Sequence, residues 1–116
     1  VTTSYLTDIL RDARSRTLEL VEGLDADQLI GPKLDIVNPM LWEIGHVAWF
    51  YEYFILRTLY GKKPLLPNGD DLYDSIAIAH DTRWDLPLLS LEDTLDYFKD
   101  PEGWYRMKEG RHLDGA

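Results

Sequence analysis

One segment constrains this chain more than any other: Asn38-Pro-Met-Leu-Trp-Glu-Ile-Gly-His-Val-Ala-Trp-Phe-Tyr-Glu-Tyr-Phe-Ile-Leu-Arg57. It reads as one helix that is apolar on almost every side, with a single imidazole, His46, set into it. Asn38 suits the N-cap and Pro39 the first helical position. Gly61 supplies a C-terminal stop. A helix with so little polar surface must be central to its domain. An unpaired buried polar group costs roughly 1–3 kcal/mol, so His46 needs a partner. A carbonyl, a carboxylate or a metal ion would each serve, and the choice decides the function.

The rest of the chain reads as helices around this one. Its 116 residues suffice for one domain with a modest core. From about Ser4 to Gly23, Leu6, Ile9, Leu10, Ala13, Leu20 and Val21 fall on one stripe, an amphipathic helix with one side on the core. Asp25 caps a short turn that Gly31-Pro32 ends. A loop with Pro64, Pro67 and Asn68-Gly69 follows the second helix. A short helix is expected around Tyr73–Ala79, then an extended Trp84–Pro87. Ser90 opens a third main helix that runs to about Lys99. Residues 101–116, interrupted by Gly103, Gly110 and Gly115, predict an irregular C-terminal tail after a helical domain over residues 1–100. Two neighbours cover the second helix poorly. A fourth helix, a second protomer or a partner protein is therefore expected against it.

Charge and composition remove several function classes. The net charge of −9 and a pI near 4.6 argue against nucleic acid and against an anionic membrane surface. There is no Cys, which excludes disulfides, thiolate catalysis and Cys-ligated metal. No apolar run is long enough to span a bilayer and no basic-then-apolar leader is present, so the cytoplasm is the expected location. Four Trp, seven Tyr and three Phe favour an aromatic core or an aromatic-lined pocket.

Trp42, His46, Trp49 and Tyr53 share one helical face by i, i+4, i+7 and i+11 spacing. That pattern suits a metal ligand or general base in an aromatic pocket. On pattern alone, a core histidine bonded to a carbonyl comes first. Glu43 is placed to orient the ring as an acceptor, and Glu52 to pair with an Arg. In Ala79-His-Asp-Thr-Arg-Trp84, His80, Arg83 and Trp84 are candidate pocket residues: Arg83 for a carboxylate, Trp84 for stacking on a ring. The plainer reading is a solvated loop with an Asp81–Arg83 contact. His112 falls in the tail, where solvent exposure is expected.

Two blocks carry a resemblance. Asn38 to Glu52, and Leu72-Tyr-Asp-Ser-Ile-Ala-Ile-Ala-His-Asp-Thr-Arg-Trp-Asp-Leu-Pro87 followed by Leu91-Glu-Asp-Thr-Leu-Asp-Tyr97, resemble the DinB-like domain that opens ergothioneine-type sulfoxide synthases and the similar selenoneine synthases. The resemblance implies an all-α fold, a DinB-like four-helix bundle that lacks its fourth helix in this chain. It implies a second domain and, between the two, a non-haem Fe(II) held by three histidines. That iron promotes O₂-dependent carbon–sulfur or carbon–selenium bond formation on trimethylhistidine (hercynine). The first of those ligands matches His46. The other two belong to a His-x-x-x-His motif that this sequence does not contain.

The first reading is therefore a DinB-like domain of this oxygenase family, incomplete for catalysis alone. The alternative is a non-catalytic helical module that dimerises or docks a partner through its second helix. A third reading rebuilds a metal site across a homodimer from His46 with His80 or His112.

Overall fold

The computed structural model describes the backbone of residues 2–115 and the side chains of residues 2–109. It is helical, with no strand among the described residues. Helix α1 spans Thr3–Val21, with Thr2 as the N-cap accepting the Tyr5 N–H. Helix α2, Ala26–Ile30, opens on a complete capping box between Asp25 and Gln28 and stops at Gly31, whose φ of 70° only glycine adopts freely. Helix α3 spans Met40–Tyr51 and continues as a π-helical segment, Glu52–Leu59. Helix α4 is Gly69–Tyr73, a 3₁₀ turn covers His80–Thr82, α5 is Leu91–Lys99 and α6 is Pro101–Gly115.

The core forms where α3 meets α5. Trp42, Ile44, Ala48 and Trp49 from α3 pack with Leu72 and Tyr73 of α4, with Tyr97 and Phe98 of α5, and with Leu29, Leu66 and Trp104. The main helix is thus central but not enclosed. Val47 is 50% exposed and Phe50 is 52% exposed. The α1 stripe is less engaged than its periodicity predicts. Val21 is the one buried residue of that helix among the described residues, while Leu6, Ile9, Leu10 and Leu20 lie open. The middle of α1 instead stands off α3 across an apolar cleft of about 250 Å³, lined by Leu10, Ala13, Thr17, Val47, Tyr51 and Phe98.

Three local expectations are corrected. Asn38 does not cap α3; it lies one residue outside, and Pro39 takes the cap position with no side-chain bond. The short helix falls at Gly69–Tyr73 rather than Tyr73–Ala79, because the Asp74 carboxylate accepts the Ile76 and Ala77 N–H groups and draws that backbone into a turn. Helix α6 replaces the irregular tail expected over residues 101–116. Asp100 accepts the Gly103 N–H and Pro101 occupies the first helical position, so Asp100-Pro101 is a helix start. Trp104 then packs on Tyr97 at 5.3 Å, and its Nε1 donates to Asp93, as does Lys108 Nζ.

The π-helical segment carries a buried carboxyl. Glu52 is 1% exposed and accepts a 2.8 Å hydrogen bond from the Tyr97 hydroxyl; the Arg57 guanidinium stands 3.8 Å away. Burial pushes the Glu52 carboxyl above its usual range, opposed by the Tyr97 hydroxyl, the backbone at Leu65 and Leu66, and Arg57. Burial, then the Glu52 charge, pushes the Tyr97 phenol well up. Glu52 therefore holds its proton more tightly folded than unfolded. Its contribution to stability is full below the unfolded value and is lost as pH rises through the folded one. Glu52→Gln keeps the acceptor for Tyr97 and removes the titration. Urea unfolding between about pH 4.5 and 7.5 is expected to show the native chain losing stability relative to Glu52→Gln as pH rises. Parallel curves would contradict this account.

Candidate functional site

Helix α3 presents Trp42, His46 and Trp49 on successive turns toward the stretch Asp70–Tyr73, and each makes one polar contact there. Trp42 Nε1 donates to the Leu72 carbonyl at 2.7 Å. His46 Nδ1 lies 2.7 Å from the Tyr73 carbonyl. Trp49 Nε1 donates to Asp70 Oδ1 at 2.7 Å. A carbonyl oxygen only accepts, so His46 Nδ1 carries the proton in the neutral ring. The lone pair is left on Nε2, and no hydrogen bond from a described residue reaches it. This is the arrangement in which histidines bind metals, one nitrogen fixed by a carbonyl and the other free.

The ring is also fixed in orientation. Trp42 stacks on it at 4.6 Å and 9°, Trp49 flanks it at 6.0 Å and 22°, and Phe50 meets it edge-on at 6.3 Å. Gly45 makes the contact with Tyr73 possible. A Cβ at Gly45 would fall inside the van der Waals envelope of Tyr73 Cε1 and Cζ. Tyr73 is fully buried and cannot swing away, and burial pushes its phenol up to about 12. Asp70 is anchored from the other side by Arg57, at 2.8 and 3.3 Å. That bidentate contact, more than the Trp49 bond, holds the Asp70 carboxyl below its usual range and raises Arg57.

Arg83 is buried and committed: Nη1 donates to Asn38 Oδ1, Nη2 donates to the Ser75 and Ile78 carbonyls, and its guanidinium lies 4.3 Å from the Trp42 ring centroid. It is a clamp behind Trp42 rather than a free carboxylate receptor, and it does not pair with Asp81. Glu43 accepts from Asn38 Nδ2 at 2.6 Å, so the orienting acceptor for His46 is the Tyr73 carbonyl and not Glu43. His80 Nε2 bonds the Val37 carbonyl, its Nδ1 lies 3.6 Å from Asp81, and Trp84 meets its ring edge-on at 5.0 Å. Trp84 Nε1 is buried with no hydrogen-bond partner among the described residues. The side chain of His112 lies outside the described residues.

The site thus offers one oriented imidazole nitrogen in aromatic surroundings, suited to binding a metal or accepting a proton. Among the described residues, no three His, Asp or Glu side chains converge as a set able to hold a metal ion. No helix there is long and apolar enough to cross a membrane. Sequence reasoning missed Tyr73 and Asp70. A backbone carbonyl leaves no trace in side-chain patterns, although the glycine beside His46 marks the close approach.

Gly45→Ala tests this geometry. Overpacking costs about 1–3 kcal/mol, of which the better helix propensity of Ala returns up to about 1. A net loss near 1–2 kcal/mol in denaturant unfolding is expected, with the His46 ring resonances shifted more than those of Trp104. An unchanged or increased stability would contradict the contact.

A sequence model described as the DinB superfamily matches residues 9–101. The hercynine oxygenase of Mycolicibacterium smegmatis is 36% identical over 94 residues, 79% of this chain and 22% of that protein. That of Mycolicibacterium thermoresistibile is 36% identical over 84 residues, 70% of this chain and 18% of that protein. That of Mycobacterium tuberculosis is 35% identical over 83 residues, 70% of this chain and 19% of that protein. The chain therefore spans between 18% and 22% of the length of these curated relatives.

Proposed function

The chain belongs to the DinB superfamily, and from that premise we propose that it is the helical domain of a hercynine-oxygenase-type, non-haem iron protein of ergothioneine or selenoneine biosynthesis, not catalytic by itself. The observation that carries the reading is His46, with Nδ1 held by the Tyr73 carbonyl and Nε2 free. The three hercynine oxygenases matched along most of this chain support it. An open Fe(II) site takes three protein ligands. The described residues supply one, so the other two, and the surfaces of a second domain or second protomer, come from outside them. Bound iron would supply oxygen activation. This chain's part is to hold one ligand in a fixed orientation, with Trp42 and Trp49 walling the ring. The substrate class is a hercynine-like small molecule and the setting is the cytoplasm, which suits a chain without Cys.

A second reading is a docking module. It is supported by the exposed Val47 and Tyr51 on the side of α3 left open, facing the cleft beside α1.

A graft separates the two. Residues 9–101 replace the matching segment of the Mycolicibacterium smegmatis hercynine oxygenase. The chimaera is expected to bind iron and to consume O₂ only with hercynine present. His46→Ala is expected to lower that rate at least about 100-fold, as loss of an orienting partner alone already costs 10- to 100-fold. A chimaera that is folded by circular dichroism yet binds no iron would contradict the oxygenase reading.

A further inference from the structure

Helix α1 lacks the cover that its stability requires. It is 19 residues long, and Val21 at its C-terminal end is its one buried residue among those described. Helices in proteins draw most of their stability from packing an apolar face, and one of this length alone is marginal in water. The apolar face exists and lies open. Leu6, Ile9, Leu10 and Leu20 are 45% to 70% exposed, and Ala13 between them is exposed too. The stripe borders the cleft toward α3, where Val47 and Tyr51 are also exposed.

The stripe matches itself when reversed. Leu6, Ala13 and Leu20 recur every seven residues, about two turns of helix. An identical helix running the opposite way, centred on Ala13, sets Leu6 against the partner's Leu20 and Ile9 against the partner's Thr17. Ala13 meets the partner's Ala13, and so small a residue at the crossing lets the axes approach to about 8 Å. Asp12 and Arg16, 2.8 Å apart, border the stripe on the side away from the cleft. In the reversed register each Arg16 comes within a turn of the partner's Asp12.

Charge selects the occupant. Helix α1 carries three acidic and three basic side chains, so it is neutral within a chain of net charge −9. A basic partner would be drawn to the acidic remainder of the surface, whereas two copies meet on α1 without net repulsion. Leu18, Val21 and Leu24 tie α1 to the core at its C-terminal end. Antiparallel pairing therefore keeps the two acidic bodies at opposite ends, and parallel pairing would set them side by side. We propose that a second copy of this chain covers the stripe, α1 against α1 in antiparallel order about Ala13. The proposal names the occupant for the docking reading above, rests on that reading, and is independent of what His46 binds. Paired faces about 28 Å long and about 12 Å wide cover about 340 Å² per chain, which places the pair among weak, reversible complexes.

Sedimentation of the whole chain from about 5 µM to about 1 mM tests it, with a monomer–dimer Kd of about 10–300 µM expected. Asp12→Arg and Arg16→Asp are each expected to weaken self-association about five- to thirty-fold, and the two variants are expected to pair with each other when mixed. Both positions are exposed, so each variant is expected to keep the native circular dichroism. The chain has no Cys, so one introduced thiol reports the register. Ala13→Cys is expected to oxidise to a covalent dimer, because a disulfide needs Cα atoms about 4.4–6.8 Å apart, and Ser15→Cys on the opposite face is expected to stay monomeric. A chain monomeric throughout the range, charge variants that associate like the native chain, or equal cross-linking of the two thiol variants would overturn the proposal. A monomer whose α1 amides exchange slowly would overturn the docking reading with it, since α1 would then be covered from within its own chain.

Discussion

The close approach of Tyr73 to Gly45 is the contact on which the arrangement around His46 depends. Any side chain at position 45 would hold the Asp70–Tyr73 stretch away from α3. With that stretch in place, three polar contacts close together: Trp42 to Leu72, His46 to Tyr73 and Trp49 to Asp70. Each satisfies a polar group that burial would otherwise penalise by roughly 1–3 kcal/mol. The aromatic helix is therefore stabilised by the same segment that orients its imidazole. Arg83 backs this from behind, stacked on Trp42 and bonded to two carbonyls of the following loop. The stack of Arg83, Trp42 and His46 links the two conspicuous blocks of the sequence through space.

The far end of the same helix is governed by Glu52. Its carboxyl joins the π-helical segment to Tyr97 of α5, and Arg57 joins it to Asp70. π-Helical turns are uncommon and concentrate at functional sites. Here the change of winding begins at Glu52, between the two members of each aromatic pair, Trp49–Tyr53 and Phe50–Phe54. Both pairs then face a cleft closed by Asp74. The metal-type nitrogen and the aromatic cleft are thus neighbours along one helix, fixed by different partners.

The helices that carry strong periodicity or clear caps were legible in the sequence: α1, α2 with Asp25, α3, and α5 with Ser90. Helix α6 was not, because Gly103 and Gly110 mask its period. Its start signal, Asp100-Pro101, is unambiguous only once Trp104 is seen against Tyr97. His46 was legible as the residue needing a partner, and a backbone carbonyl was among the alternatives left open. Which carbonyl was not legible, since only folding brings Tyr73 next to residue 46. Arg83 misled for the converse reason. An arginine in a loop reads as a ligand receptor, but this one is buried and spent on Asn38 and two carbonyls. The weak engagement of α1 was also invisible, because a stripe of apolar residues says that a helix can be covered and not what covers it.

The central claim is that His46 is held with Nδ1 protonated toward Tyr73 and Nε2 free to bind. Long-range ¹⁵N–¹H correlation of the imidazole, at a pH where the ring is neutral, measures the tautomer directly. The account predicts a protonated Nδ1 and an unprotonated Nε2 for His46, with the Nδ1 proton slow to exchange. A ring protonated at Nε2, or an even mixture of tautomers, would contradict it.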